Sequence, residues 1–165
     1  MAAKEQDELT EQERLALAAE IPVEANASGK NFEQDWMSEG DTRALALLKG
    51  EIKLVPCERF MKRPPSKVAF TQSAYTEFNA ARDWYEGQRK GLGGYFALQM
   101  IETLTQVKAA PQAGAKFGKY HRRVAVSQFP YRLIYMLFEG HVAVSALEHA
   151  HKMPVSWRQI GKRSF

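Results

Sequence analysis

His149 is the side chain best suited to moving a proton near neutral pH, because an unperturbed imidazole titrates at about 6.5. The same residue also suits a structural role, holding the Lys152-Met153-Pro154 turn at the end of a strand. His149 and His151 form an H-x-H pair, and on a strand both rings would face one side, as in some zinc sites. No third ligand at a suitable spacing accompanies them, and Cys57 is distant in the chain, so neither a metal nor a cofactor is expected. Lys116, Lys119, Arg122, Arg123, Arg132 and Lys152 surround the same segments. Each alone reads as a solvated charge. As a cluster they suit a polyanion, since Lys and Arg contact phosphate whichever base is present, or they suit an acidic part of the chain itself. Tyr120 and Tyr131 suit stacking on a splayed base or help in proton transfer. Cys57 reads as packing rather than a nucleophile, because no partner base accompanies it.

These residues must be positioned by elements whose order the sequence suggests. Thr10 to Glu13 fits a capping box, and a helix should run from there to about Ile21, stopped by Pro22. Residues 22–31 are turn-formers and polar residues and read as a linker. A second helix is expected over Phe32 to Lys49, with Phe32, Trp36, Leu45 and Leu48 as its apolar side and Gly50 closing it. Ile52, Leu54 and Val55 form a short extended run ending at Pro56, a helical turn follows over Cys57 to Lys62, and Pro64-Pro65 forces a break.

Beyond the break, Val68 to Phe70 predicts a strand, and Thr71 or Ser73 caps a helix with Ala74, Phe78, Ala81 and Tyr85 on one side. Gly91-Leu92-Gly93-Gly94 precedes another helix. It lacks the Lys-Ser/Thr ending of a phosphate loop and does not follow a strand, so it reads as the turn of a helical hairpin. The second helix carries Phe96, Met100, Leu104 and Val107 in one stripe and ends at Pro111. Three strands follow: Val124 to Val126, then Tyr131 to Phe138, apolar on both faces, then His141 to Leu147, paired back through Glu139-Gly140. Arg132 alternates with Tyr131 and Leu133, so it points away from both. The predicted class is α+β: a helical hairpin on one face of a mainly antiparallel sheet, preceded by a mostly helical arm.

The chain has 165 residues and a net charge of +4. Residues 1–65 hold 9 Lys+Arg against 13 Asp+Glu, and residues 66–165 hold 14 against 6. The arm is therefore acidic and the body basic, and 15 of the 18 aromatic residues lie in the body. Complementary charge suggests two units that face each other, divided at residues 65/66. No apolar run is long enough to span a bilayer and the start carries no apolar leader core, so a cytoplasmic protein with no membrane partner is expected. The single cysteine, Cys57, agrees with a reducing compartment.

Several strings in this order resemble the RelE/ParE superfamily of toxin–antitoxin toxins. They are Phe70-Thr71 with Ala74, Trp84-Tyr85, Gly91-Leu92-Gly93 with Phe96, and Pro111. They continue with Arg123, Phe129-Pro130-Tyr131, Tyr135, and Ala146-Leu147-Glu148-His149 through Lys152, Pro154 and Trp157. The resemblance covers about residues 67–158. Gln128 stands where a basic residue is expected, and Lys152 where arginine is usual. Within residues 9–63, Leu9-Thr10 with Glu13-Arg14-Leu15, then Trp36, then Gly50-Glu51-Ile52-Lys53-Leu54-Val55-Pro56 resemble the short addiction-module antitoxins encoded beside such toxins.

The resemblance implies a toxin domain neutralised by an antitoxin segment in the same polypeptide. It implies one of two targets, mRNA on the ribosome or DNA gyrase, with a toxin-like binding protein that has lost activity as the alternative. RNA cleavage needs a group to take the 2′-hydroxyl proton, cations for the pentavalent phosphate and an acid for the leaving oxygen, and no metal. On this reading His149, Arg123 and Tyr131 are the catalytic candidates. Lys116, Lys119, Arg122, Arg132 and Lys152 bind RNA or another target. Phe32, Trp36, Leu45, Leu48, Ile52, Leu54 and Val55 are expected to contact the body, covering the hairpin or adding to a sheet edge. A homo-oligomer through Leu15, Ala18 and Ala19 is a further partnership the arm suggests.

Overall fold

The computed structural model describes residues 32–149. The helix expected at Thr10 to Ile21, the linker at 22–31, His151, Lys152 and the segment through Trp157 lie outside the described residues.

Trp36 sets the orientation of the first helix, α1 (Phe32–Leu48). With 3.6 residues per turn, Gly40, Arg43, Ala44 and Leu47 fall on the same side as Trp36. Trp36, Gly40, Arg43, Ala44 and Leu47 are all buried. Leu45 falls about 180° and Leu48 about 120° away around the helix, and both are exposed. The predicted apolar side is therefore corrected. Large residue size pointed to Leu45 and Leu48, but helical phase selects Ala44 and Leu47.

Gly50, with a φ of +75°, turns the chain out of α1. Strand β1 (Leu54–Pro56) follows, then a single 3₁₀ turn (Cys57–Arg59) in place of the longer helical turn expected to Lys62. Strand β2 (Val68–Thr71) leads into helix α2 (Gln72–Gln88), where the Thr71 hydroxyl accepts from the Ala74 amide as an N-cap. Helix α3 (Leu92–Ala109) follows Gly91. The Glu86 carboxylate accepts from the Gly91 and Gly93 amides at 2.8 and 2.9 Å. The glycine-rich turn thus spends these two amides on the hairpin itself. Strands β3 (Ala115–Phe117), β4 (His121–Ala125), β5 (Tyr131–Phe138) and β6 (His141–His149) complete the described residues. The two-residue turn Glu139-Gly140 closes the last hairpin with both residues at positive φ.

The six strands form one mixed sheet in the order β1-β2-β6-β5-β4-β3. Only β2 and β6 are parallel. The class is α+β, as expected, with three helices among the described residues. The sheet is covered on both sides. On the near face, α2 and α3 pack Phe78, Ala81, Tyr85, Phe96, Met100 and Leu104 onto Val68, Phe70, Leu133, Tyr135, Val144 and Leu147. On the far face, α1 packs Trp36 against Phe117, Ile134 and Ala146, and Ala44 and Leu47 against Met136 and Ala143. The expectation of a hairpin on one face is met, and α1 supplies the third layer.

The segment after α1 enters the sheet. Leu54 and Val55 sit opposite Thr71 and Phe70 in an antiparallel pair. Ile52 precedes this strand and packs beside Leu54 in the far-face cluster. Cys57 and Met61 belong to the near-face core, and Phe60 packs edge-on against Phe70 and Tyr75. Residues 54–61 are therefore part of the body's packing, while α1 lies on top of it.

Candidate functional site: the sheet face beneath the first helix

Strand alternation divides the chemistry-bearing residues between two faces. Arg123 pairs with Ile134, and Arg122 with Tyr135. Paired residues share a face, so Arg123 lies with Ile134 on the far face and Arg122 with Tyr135 on the near face. Tyr131 pairs with His149 across β5 and β6, and both are buried on the near face. Their rings meet edge to face at 4.8 Å, and Tyr131 also packs against Phe96 and Tyr85. The three proton-transfer and phosphate candidates are thus not brought together: Arg123 is on the opposite side of the sheet from Tyr131 and His149.

What the far face does bring together is a different set. The Arg123 guanidinium lies over the Phe117 ring at 4.4 Å. One nitrogen meets Glu148 at 3.3 Å, and another meets Glu33 of α1 at 2.6 Å. Arg132 approaches the same Glu148 carboxylate at 3.9 Å. Glu148 is only 1% exposed. Burial pushes its carboxyl upward, while Arg132 and Arg123 act in the opposite direction. Two guanidinium groups on one buried carboxylate leave a local positive excess, which Glu33 neutralises from the arm.

Beside this cluster lies His121, buried under α1 and two residues from Arg123. Its Nε2 is 2.7 Å from the Ser145 hydroxyl. A Cβ on Gly40 would stand 3.4 Å from its Nδ1, so glycine lets the helix lie close at this point. The imidazole is lowered to about 4, chiefly by burial; Asp41 acts in the opposite direction and Arg43 adds to the lowering. The ring is therefore neutral at pH 7. Asp41 also accepts from the Lys119 amide at 3.2 Å, tying α1 to the turn before β4.

The remaining basic candidates are dispersed. Lys116 is exposed on β3 and faces Arg122 across the β3–β4 pair. Lys119 extends over the Tyr120 ring at 5.4 Å. Arg122 donates to the Gly114 carbonyl at 2.8 Å. Cys57 is buried, and its thiol is pushed up to about 12 by burial and then by Glu58, which agrees with a packing role. Among the described residues no group of three or more His, Cys, Asp or Glu side chains could hold a metal ion. No helix among the described residues is long and apolar enough to cross a membrane.

Sequence reasoning missed His121, Ser145, Glu148 and, most of all, Arg43 with Glu77. Arg43 donates to both Glu77 oxygens at 2.7 and 3.1 Å, and to the Ser145 carbonyl at 2.9 Å. Glu77 in turn accepts from the Leu147 amide at 2.9 Å. Both side chains are almost fully buried. Their signal was present in the sequence as a charge inside each apolar stripe. Arg43 follows Trp36 by seven residues, and Glu77 lies between Ala74 and Ala81. Charged residues at such positions are almost never fully buried unless paired.

The chain matches no protein-family model and no curated protein.

Proposed function

We propose that the chain is a toxin–antitoxin module protein, with a RelE/ParE-like toxin domain over residues 66–165 neutralised by an antitoxin-like arm over residues 1–65. The observation that carries this reading is the position of α1. It lies across the sheet face that holds Arg123, Arg132 and His121, and it places Glu33 on Arg123 at 2.6 Å. A basic face is covered by an acidic segment, as the charge division requires. Because the arm is tethered, its effective concentration is roughly millimolar, so exposure of the face requires cleavage or local unfolding of the arm.

Two modes of toxicity follow from the resemblance, and each has support. Cleavage of mRNA on the ribosome is supported by a neutral imidazole, His121, two residues from Arg123 on one face, the chemistry of proton transfer beside phosphate charge. A non-enzymatic body, binding DNA gyrase or inactive, is supported by the burial of Tyr131 and His149 on the opposite face, away from Arg123.

Trp36→Asp in the full chain tests the reading. It places a charge where α1 meets Phe117 and Ile134, and leaves the arm's β1 paired with β2 and its Cys57 packed in the near-face core. Inducing this variant should arrest growth, whereas the parent chain should not. Purified variant should then cleave mRNA in translating extract, or inhibit supercoiling by gyrase and leave mRNA intact. A folded Trp36→Asp protein that is harmless and does neither would remove the toxin reading and leave a binding protein.

A further inference from the structure

We propose that the body carries a preformed guanidinium socket at the open edge of β6, and that this socket recognises α1 through the single arginine it presents, Arg43. The socket stands apart from the toxin reading, since it concerns how residues 32–48 are held whatever the body acts on.

The socket follows from where β2 stops. Strand β2 pairs with Val142 to Val144 and then turns into α2. From Ser145 onward, no described strand pairs with β6 on that side. Buried backbone groups without a ladder need other partners. The Leu147 amide donates to Glu77 on α2, at 2.9 Å. The Ser145 carbonyl accepts from the Thr71 hydroxyl at 3.0 Å. These bonds involve the body alone, so the Glu77 carboxylate and the Ser145 carbonyl are aimed before the arm arrives. Burial pushes the Glu77 carboxyl upward, and a cation facing it acts against that shift.

The opening that remains has the shape of a planar fork. Two carboxylate oxygens and one carbonyl oxygen accept from two guanidinium nitrogens, Nη1 and Nη2, and the third nitrogen, Nε, reaches Glu39 of α1 at 2.9 Å. Arginine presents donors in this fixed geometry, whereas lysine presents one compact point charge. The Glu39 contact, one turn before Arg43, holds the side chain extended towards the socket. The site thus selects a helix carrying an arginine about two turns after a buried tryptophan, and rejects one carrying lysine there.

Chemical rescue of the full chain tests this. Arg43→Ala should lower Tm by more than about 5 °C, because breaking a buried pair leaves Glu77 uncompensated. Millimolar methylguanidinium should restore most of that loss. Methylammonium at equal ionic strength should restore none, and Arg43→Ala with Glu77→Gln should respond to neither. Arg43→Lys gives a second reading, by melting or by refolding yield if the alanine variant does not accumulate, and should be as impaired as a broken pair. An Arg43→Ala chain as stable as the parent would overturn the socket. So would equal rescue by both cations, no rescue by methylguanidinium, rescue that survives Glu77→Gln, or an Arg43→Lys chain matching the parent.

Discussion

The two faces of the sheet are held in different ways. On the near face, Phe70, Phe78, Phe96, Tyr85 and Tyr131 form a continuous aromatic cluster with ring centroids 5.3 to 6.4 Å apart. On the far face, the apolar contacts are two small clusters around Trp36 and Leu47. Between and beside them lie Arg43–Glu77, His121–Ser145 and Arg123–Glu148. Apolar burial is non-directional in its driving force, whereas paired charges favour one register and contribute little net stability. The near face therefore supplies most of the apolar core, and the far face adds the paired charges that the proposed reading takes as a specific, separable cover. An inhibitory arm of the kind proposed needs one docking position and a free energy of release below that of unfolding the body.

Substitutions sharpen this contrast, beginning with the largest effect. Phe96→Ala, at the centre of the near-face cluster, should cost about 3–5 kcal/mol and lower the midpoint of urea unfolding for the whole chain. Trp36→Ala removes a side chain of similar size from the far face. It should release α1 before the body unfolds, so circular dichroism and core fluorescence should no longer change together. Coincident transitions in both variants would erase the distinction between the faces.

Acid should loosen the far face through His121. Its folded value, lowered to about 4, lies below the ordinary 6.5. The unfolded or released state therefore binds the proton first, and stability falls as pH drops from 6.5 towards 4 by up to about 1.4 kcal/mol per pH unit. Glu77 and Glu148, raised by burial, act in the opposite sense, since protonation relieves them as pH falls. Subtracting the stability profile of His121→Asn from that of the parent isolates the histidine contribution. A difference that does not change with pH between 6.5 and 4 would refute a neutral, buried imidazole under α1.

Smaller effects belong to the surface. Glu33→Gln should weaken the hold on Arg123 by at most about 1 kcal/mol, because Glu33 is exposed and screened. That loss should shrink further at high salt. Leu45→Glu and Leu48→Lys should change stability by no more than about 0.5 kcal/mol, since both side chains face solvent. A loss of several kcal/mol at either leucine would mean that α1 docks in another rotation.

The near face was legible in the sequence and the far face largely was not. Ala74, Phe78, Ala81 and Tyr85 repeat at helical spacing and are all buried, and Tyr131 to Phe138 is a strand with the expected bounds. Such periodicity is read directly because apolar burial is its only cause. The docking side of α1 was misread because glycine, alanine and arginine occupy positions where a hydrophobic stripe was sought. The Leu54–Val55 run was read as an edge strand and pairs with β2, but Ala115 to Phe117 was not recognised, being three residues with two exposed. His121 escaped notice because the strand was begun at Val124, which hid its alternation with Arg123. The His149, Tyr131 and Arg123 set was joined by resemblance, and a single β-strand alternation places its members on opposite faces.

Native-state hydrogen exchange on the full chain tests the separable cover most directly. Amides of α1 should exchange through an opening whose free energy is lower, and whose denaturant dependence is smaller, than those of α2, α3 and β5. Arg43→Ala should lower the α1 value and the global value by the same amount and leave the gap between them unchanged. If α1 amides exchange only with global unfolding, at the same free energy as the hairpin, then α1 is an inseparable part of the core and the inhibitory-arm account is contradicted.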